Sequence, residues 1–221
     1  MALNPNRDLL KEGYAMNESM VYVVDDDPAI LESVEQRFGS EGMIVRTYSS
    51  AEAFASDTRF QDSGCLILDL HMPGMPGIKL IEWMRLHQIE MPIVVLTGHG
   101  NIPAVVESMR FGATEFFQKP ATDGVLVKRV RELLEADAAR RGERAQIREI
   151  RDRFATLTER ERELVELLAI GLSSKQIAAK LGIAVKTVEN HRSKLLAKTE
   201  APNVVNLVRM RMITVNNRMG I

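Results

Sequence analysis

Cysteine is almost missing from this chain: Cys65 is the only one in 221 residues. No intrachain disulfide can form, so a reducing, cytoplasmic compartment is the expectation. Cys65 lies inside an apolar run, which suits a small core residue better than a reactive thiol. Long apolar runs are lacking as well. Stretches such as Ile93–Leu96 fall far short of the roughly 18 residues that a membrane span needs, and no membrane partner is expected. The first nineteen residues carry Arg7, Asp8, Lys11, Glu12 and Glu18 and no apolar centre, which excludes a signal-peptide pattern. They read as a disordered leader over 1–19, with Met16 and Met20 as alternative starts. Nor is there a large excess of one charge, since the formal net is −1.

That small net conceals a division. Residues 1–120 hold 9 Lys+Arg against 17 Asp+Glu, residues 121–155 hold 9 against 7, and residues 156–221 hold 11 against 6. The net charges are therefore −8, +2 and +5. With 45% apolar and 27% charged residues, the composition is that of a globular protein. An acidic part and a basic part imply two domains with different partners, the basic one suited to nucleic acid.

The order of elements supports the division. Short β-rich apolar runs at Met20–Val24, Met43–Thr47, Cys65–Leu68, Ile93–Leu96 and Glu115–Phe117 alternate with helical patterns at Pro28–Phe38, Ala51–Phe60, Ile78–Leu86 and Ala104–Phe111. Such alternation predicts βαβ crossovers and a five-stranded parallel, doubly wound α/β domain over 20–122. From Asp123 the pattern is helical. Val127, Val130, Leu133 and Leu134 form an apolar stripe, and the polar Arg/Glu/Ala-rich stretch beyond it predicts a long linker helix, so that 123–154 comprises helix five and the linker. A frayed linker is the alternative. Residues 155–221 read as a small all-α domain of four helices. Thr158 and Glu161 form a capping box at its start, Gly171 and Gly182 end its first two helices, and Pro202 precedes the last.

In a parallel sheet the polar residues at the carboxyl ends of the strands carry the chemistry. Here those residues are Asp25, Asp26, Asp69, Thr97 and Lys119. Three crowded carboxylates call for a hard cation, and oxygen ligands suit Mg²⁺. A carboxylate held in this way beside a lysine can attack a phosphoryl donor, with the metal and Lys119 neutralising the phosphoryl oxygens and Thr97 donating a hydrogen bond. Asp27 needs no such role, because it is placed to cap the following helix.

Val21–Asp27 (VYVVDDD), Leu66–Gly74 (LILDLHMPG), Ile93–Gly100 (IVVLTGHG) and Gly112–Pro120 (GATEFFQKP) resemble the receiver domain of bacterial two-component response regulators. The resemblance implies that Asp69 is the phosphoacceptor, that Asp25, Asp26, Asp69 and the backbone carbonyl of His71 hold the metal, and that Thr97 and Phe116 are the switch residues. Phe116 is otherwise readable as a core residue of an edge strand. The resemblance also implies a cis bond before Pro120. One departure is Ala121-Thr122, where the family often has Phe after the proline; it bears on how helix five packs.

The run Ser173–Lys198 has the form of a helix-turn-helix. Its second helix offers Lys186, Thr187, Glu189, Asn190, Arg192, Ser193 and Lys194 on exposed faces, with Val188, Leu195 and His191 turned inward or sideways. The cations would hold phosphates, while Glu189 could accept from cytosine and Asn190 could pair with adenine. Leu157–Val165 (LTERERELV) and Gly171–Leu196 (GLSSKQIAAKLGIAVKTVENHRSKLL) resemble the LuxR-type DNA-binding domain.

Receiver, linker and LuxR-type domain in this order resemble the NarL/FixJ group, and Thr97–Gly100 is most similar to its FixJ branch. The resemblance implies a transcription regulator rather than an enzyme. A sensor histidine kinase would be its phosphodonor and double-stranded promoter DNA its target, with RNA polymerase a further candidate partner. The phosphorylated form would be a homodimer, for which Val204, Leu207 and Val208 are candidate contacts. Two alternatives remain in view. One is a phosphorylation-independent regulator that uses the acidic domain for docking. The other is a Mg²⁺-dependent aspartyl-phosphate phosphatase of the haloacid-dehalogenase type, disfavoured because Asp25–Ala29 lacks the DxDxT pattern.

Overall fold

The structure is a computed structural model and describes residues 20–57, 63–98, 102–120 and 124–216. The expected leader, His99-Gly100 and Ala121-Thr122 lie outside the described residues, and the second helix, expected to reach Phe60, ends at Ala55 with Ser56 as its C-cap. The chain divides into two compact units, Met1–Ala139 and Arg140–Ile221.

In the first unit the strands are β1 (Met20–Val24), β2 (Ile44–Tyr48), β3 (Cys65–Asp69), β4 (Ile93–Thr97) and β5 (Glu115–Gln118). They pair in parallel in the order β2-β1-β3-β4-β5. The helices are α1 (Pro28–Ser40), α2 (Ala51–Ala55), α3 (Gly77–Leu86), α4 (Ile102–Phe111) and the first part of α5 (Gly124–Ala155). Alternation along the strands sends successive side chains to opposite faces. Tyr22, Val24, Leu66, Leu68 and Val95 pack with α2 and α3, whereas Val21, Val23, Cys65, Ile67, Val94 and Leu96 pack with α1 and α5. Both faces are thus covered, as an all-parallel sheet requires. Burying each large aliphatic side chain contributes about 1.5–3 kcal/mol. Cys65 is wholly buried, and burial followed by the nearby Asp137 charge pushes its thiol above the ordinary range, which fits a core residue.

α5 continues without a break through Ala155, so the linker stretch is helical. The apolar anchors Leu126, Val127, Val130, Leu133 and Leu134 are all buried in the first unit. In the second unit, α6 (Glu159–Ala169), α7 (Ser174–Leu181), α8 (Val185–Thr199) and α9 (Val204–Asn216) surround Leu157, Leu164, Val165, Leu168, Ile177, Val188, Leu195 and Leu207. Both α6 and α7 begin with complete capping boxes, Thr158 with Glu161 and Ser173 with Gln176. Each box satisfies backbone donors that a helix start leaves unpaired.

Candidate phosphorylation site and nucleic-acid interface

Strand order and register together assemble the acidic site. The chain runs from β1 outward to β2, then back across to β3, so the direction of winding reverses between β1 and β3. Ligands gather at the carboxyl ends of the strands flanking such a reversal. Val24 pairs with Leu68, Asp69 with Leu96, and Thr97 with Gln118. Each polar residue therefore lies at, or one step beyond, a paired position. Asp25, Asp69, Thr97 and Lys119 consequently form a row across one sheet edge, and Lys119 N–H donates to the Thr97 carbonyl at 2.8 Å.

The row is mostly shielded from water. Asp25, Asp69 and Thr97 are 1%, 6% and 4% exposed, so their charges and dipoles act with little solvent screening. Lys119 Nζ lies 2.6 Å from Asp25 Oδ2 and 2.7 Å from Asp69 Oδ2. Backbone donors steady the carboxylates: Asp27 N–H reaches Asp25 Oδ1 at 3.0 Å, and His71 N–H reaches Asp69 Oδ1 at 3.1 Å. Burial raises the Asp25 carboxyl above its ordinary range, with Asp69 repulsion adding, against the hydrogen bonds of Lys119 and Asp27 and the Lys119 charge. Burial opposes the Lys119 charge too, but the two carboxylates outweigh it and raise that ammonium. A buried carboxylate pair thus competes for one cation.

Asp26 is exposed, yet one oxygen from each of Asp25, Asp26 and Asp69 falls within 4.8 Å of the others. This all-oxygen donor set fits a hard divalent ion. Thr97 Oγ1 is buried and makes no hydrogen bond among the described residues. Such a hydroxyl is normally paired, so it suits a ligand oxygen. Phe116 is 52% exposed on the edge strand β5, which removes the alternative of a core phenylalanine. The Lys119–Pro120 bond is cis, as the resemblance implies. Asp27 caps α1 through its contact with Ala29 N–H.

The basic face is built differently. Gly182 closes α7 in a left-handed conformation, and α8 starts three residues later. Val188 and Leu195 are buried, which orients the rest of α8: Lys186, Glu189, Asn190, Ser193 and Lys194 are exposed, while Thr187 and His191 are half-buried. Arg192 departs from the expected exposed position. It is half-buried and donates to Ser174 Oγ at 2.8 Å, so its guanidinium ties α8 to α7. Ser173 caps α7, which leaves the neighbouring Ser174 hydroxyl for this contact, a pairing that the sequence pattern does not mark.

Comparison with known proteins identifies the family of each unit. Residues 21–131 match the response regulator receiver domain, and residues 155–211 match the bacterial regulatory proteins of the luxR family. The transcriptional regulatory protein FixJ of Azorhizobium caulinodans is 37% identical over 199 residues, covering 90% of this chain and 94% of FixJ. The structure of the response regulator StyR superposes with a TM-score of 0.81 at 37% identity, covering 88% of this chain and 98% of StyR. Full-length FixJ from B. japonicum superposes at 0.56 with 34% identity, covering 89% and 97%. No helix of the described residues is long and apolar enough to cross a membrane. The chain belongs to the two-component response regulators, as a FixJ-like transcriptional regulator with a receiver domain followed by a LuxR-type DNA-binding domain.

Proposed function

We propose that Asp69 is the phosphoacceptor and that its phosphorylation by a sensor histidine kinase controls binding of the C-terminal domain to promoter DNA. The observation that carries this reading is the pair formed by Lys119, bridging Asp25 and Asp69 at 2.6 and 2.7 Å, and the unbonded buried Thr97 hydroxyl. An Asp69 carboxylate oxygen attacks the phosphorus of a phosphohistidine. A P–O bond forms, the P–N bond breaks, and the imidazole leaves with a proton from solvent. Lys119 neutralises the transferred phosphoryl group, and Thr97 turns its hydroxyl to a phosphoryl oxygen. Asp25, Asp26, Asp69 and the His71 carbonyl would hold Mg²⁺, which supplies positive charge to the phosphoryl oxygens.

Engaging Thr97 frees Phe116 to change its exposure, and the altered surface favours a homodimer able to span two DNA half-sites. In that complex Lys186 and Lys194 hold phosphates, and Thr187, Glu189, Asn190 and Ser193 lie at base edges. Arg192 acts through Ser174 in the free protein. Val204, Leu207 and Val208 are assigned to α9; Leu207 is fully buried in its own unit and Val204 packs against the same core, which leaves Val208 for a dimer contact. We place the protein in the cytoplasm, with RNA polymerase as a further partner. The domain limits we assign are 20–122, 123–154 and 155–221. Labelling with a small phosphodonor and Mg²⁺ tests the site: Asp69→Asn should abolish the aspartyl phosphate, and persistent labelling would overturn the assignment.

A further inference from the structure

The loop between Asp69 and α3, residues 70–76, carries two prolines, Pro73 and Pro76, which have no backbone donors to fix it. Two of its remaining donors are spent on carboxylates. His71 N–H is held by Asp69 itself, and Met75 N–H is held by Glu52 Oε1 at 2.7 Å, from a residue 23 positions earlier on α2. Gly77 N–H closes the turn on the Leu70 carbonyl at 3.2 Å.

The contact is built rather than incidental. Gly74 has φ +78°, and a Cβ there would come within 2.5 Å of the Glu52 carboxylate oxygen. Glycine thus supplies the left-handed backbone conformation that the turn needs at this point. Hydrogen bonds from Glu52's own N–H and then from Met75 N–H hold the Glu52 carboxyl below its ordinary range. At the other end of the loop, a Cβ on Gly77 would meet the Asp69 carbonyl oxygen at 2.2 Å, so the turn returns against the residue it left. Ser50 caps α2 through Ala53 N–H and so fixes the helix that presents Glu52.

We infer that Glu52 is a positioning residue that holds the loop after Asp69 in the shape the metal site needs. The inference rests on the proposed Mg²⁺ site, with the His71 carbonyl as one ligand. Glu52 touches neither metal nor phosphate; it acts through Met75 and the turn. Losing an acceptor at this position and length releases a loop whose two prolines have no donors of their own.

Calorimetric titration of the full chain with MgCl₂ alone tests this without any phosphodonor. Glu52→Ala should weaken Mg²⁺ binding about three- to tenfold. Glu52→Asp keeps the charge but loses reach and should behave like Glu52→Ala, and it carries the test if the alanine chain fails to melt cooperatively. Glu52→Gln retains an acceptor at the same length and should stay within about twofold of wild type. Wild-type affinity in Glu52→Asp and Glu52→Ala, or a Glu52→Gln loss equal to theirs, would overturn the inference. Absence of Mg²⁺ binding by the wild-type chain would instead overturn the metal site itself, and the inference with it.

Discussion

The two candidate sites would recognise phosphate chemistry by opposite means. In the receiver unit the functional groups come from Asp25 to Lys119, are held by strand register, and are mostly hidden from water. In the C-terminal unit the proposed DNA contacts lie within nine consecutive residues of one helix, 186–194, and most are exposed. A buried site needs every partner present, because an uncompensated charge or hydroxyl inside a protein is costly. An exposed helix face tolerates loss of single members, because water replaces each contact and the phosphates are bound by summed charge. The difference predicts all-or-none behaviour in the first unit and graded behaviour in the second.

The largest expected effect tests whether the units are separable. Leu195, on the inner side of α8, is wholly buried in the core of the C-terminal unit. Leu195→Ala should destabilise the C-terminal unit by about 2–5 kcal/mol and abolish duplex binding. Labelling of Asp69 by a small phosphodonor should be unchanged. A matching loss of labelling would show that the contrast between the units is false.

A smaller, graded effect is expected from the exposed cations. Lys186→Ala and Lys194→Ala should each weaken duplex binding for all sequences alike and lower the salt slope by about one. Asn190→Ala should instead relax preference at one base pair, at about 1–3 kcal/mol. If the lysine variants changed sequence preference and left the salt slope intact, the division into positioning and reading residues would fail. Arg192 should differ from both lysines, because Ser174→Ala ought to reproduce part of its effect.

The smallest effect is a pH dependence in the C-terminal unit. Glu161 is held below its usual carboxylate range, first by the Lys198 hydrogen bond and then by Thr158 N–H, the capping-box contact. A depressed folded-state value means that the stabilisation is present above the ordinary value of 4.5 and is lost as pH falls through the lower folded one. Thermal melts should therefore show the C-terminal unit weakening below that range, and Glu161→Gln should flatten the change. An unaltered acid limb in Glu161→Gln would remove the capping box from the account.

Much of this was readable from residues alone, and the reasons differ between the units. Strand-end polarity revealed Asp25, Asp69, Thr97 and Lys119 because a two-residue period and abrupt apolar-to-polar ends leave a clear mark. The Thr158–Glu161 capping box was equally plain, since its spacing is local; the matching Ser173–Gln176 box emerged only in the structure. The bridging of both Asp25 and Asp69 by Lys119 was hidden, because it depends on register between strands. The Arg192–Ser174 tie and the Glu52–Met75 bond were hidden for the same reason: they join residues 18 and 23 positions apart, and no local pattern encodes such a pair. The exposure of Phe116 followed from β5 being an edge strand, which strand order decides and the residues of β5 do not.

The most direct test of the central claim is the affinity of the full chain for promoter duplex, measured at fixed salt with and without a small phosphodonor and Mg²⁺, for wild type and Asp69→Asn in parallel. The account predicts that the phosphodonor tightens binding by the wild-type chain and leaves Asp69→Asn unchanged. Equal tightening in both, or none in a wild-type chain that is demonstrably labelled on Asp69, would contradict it.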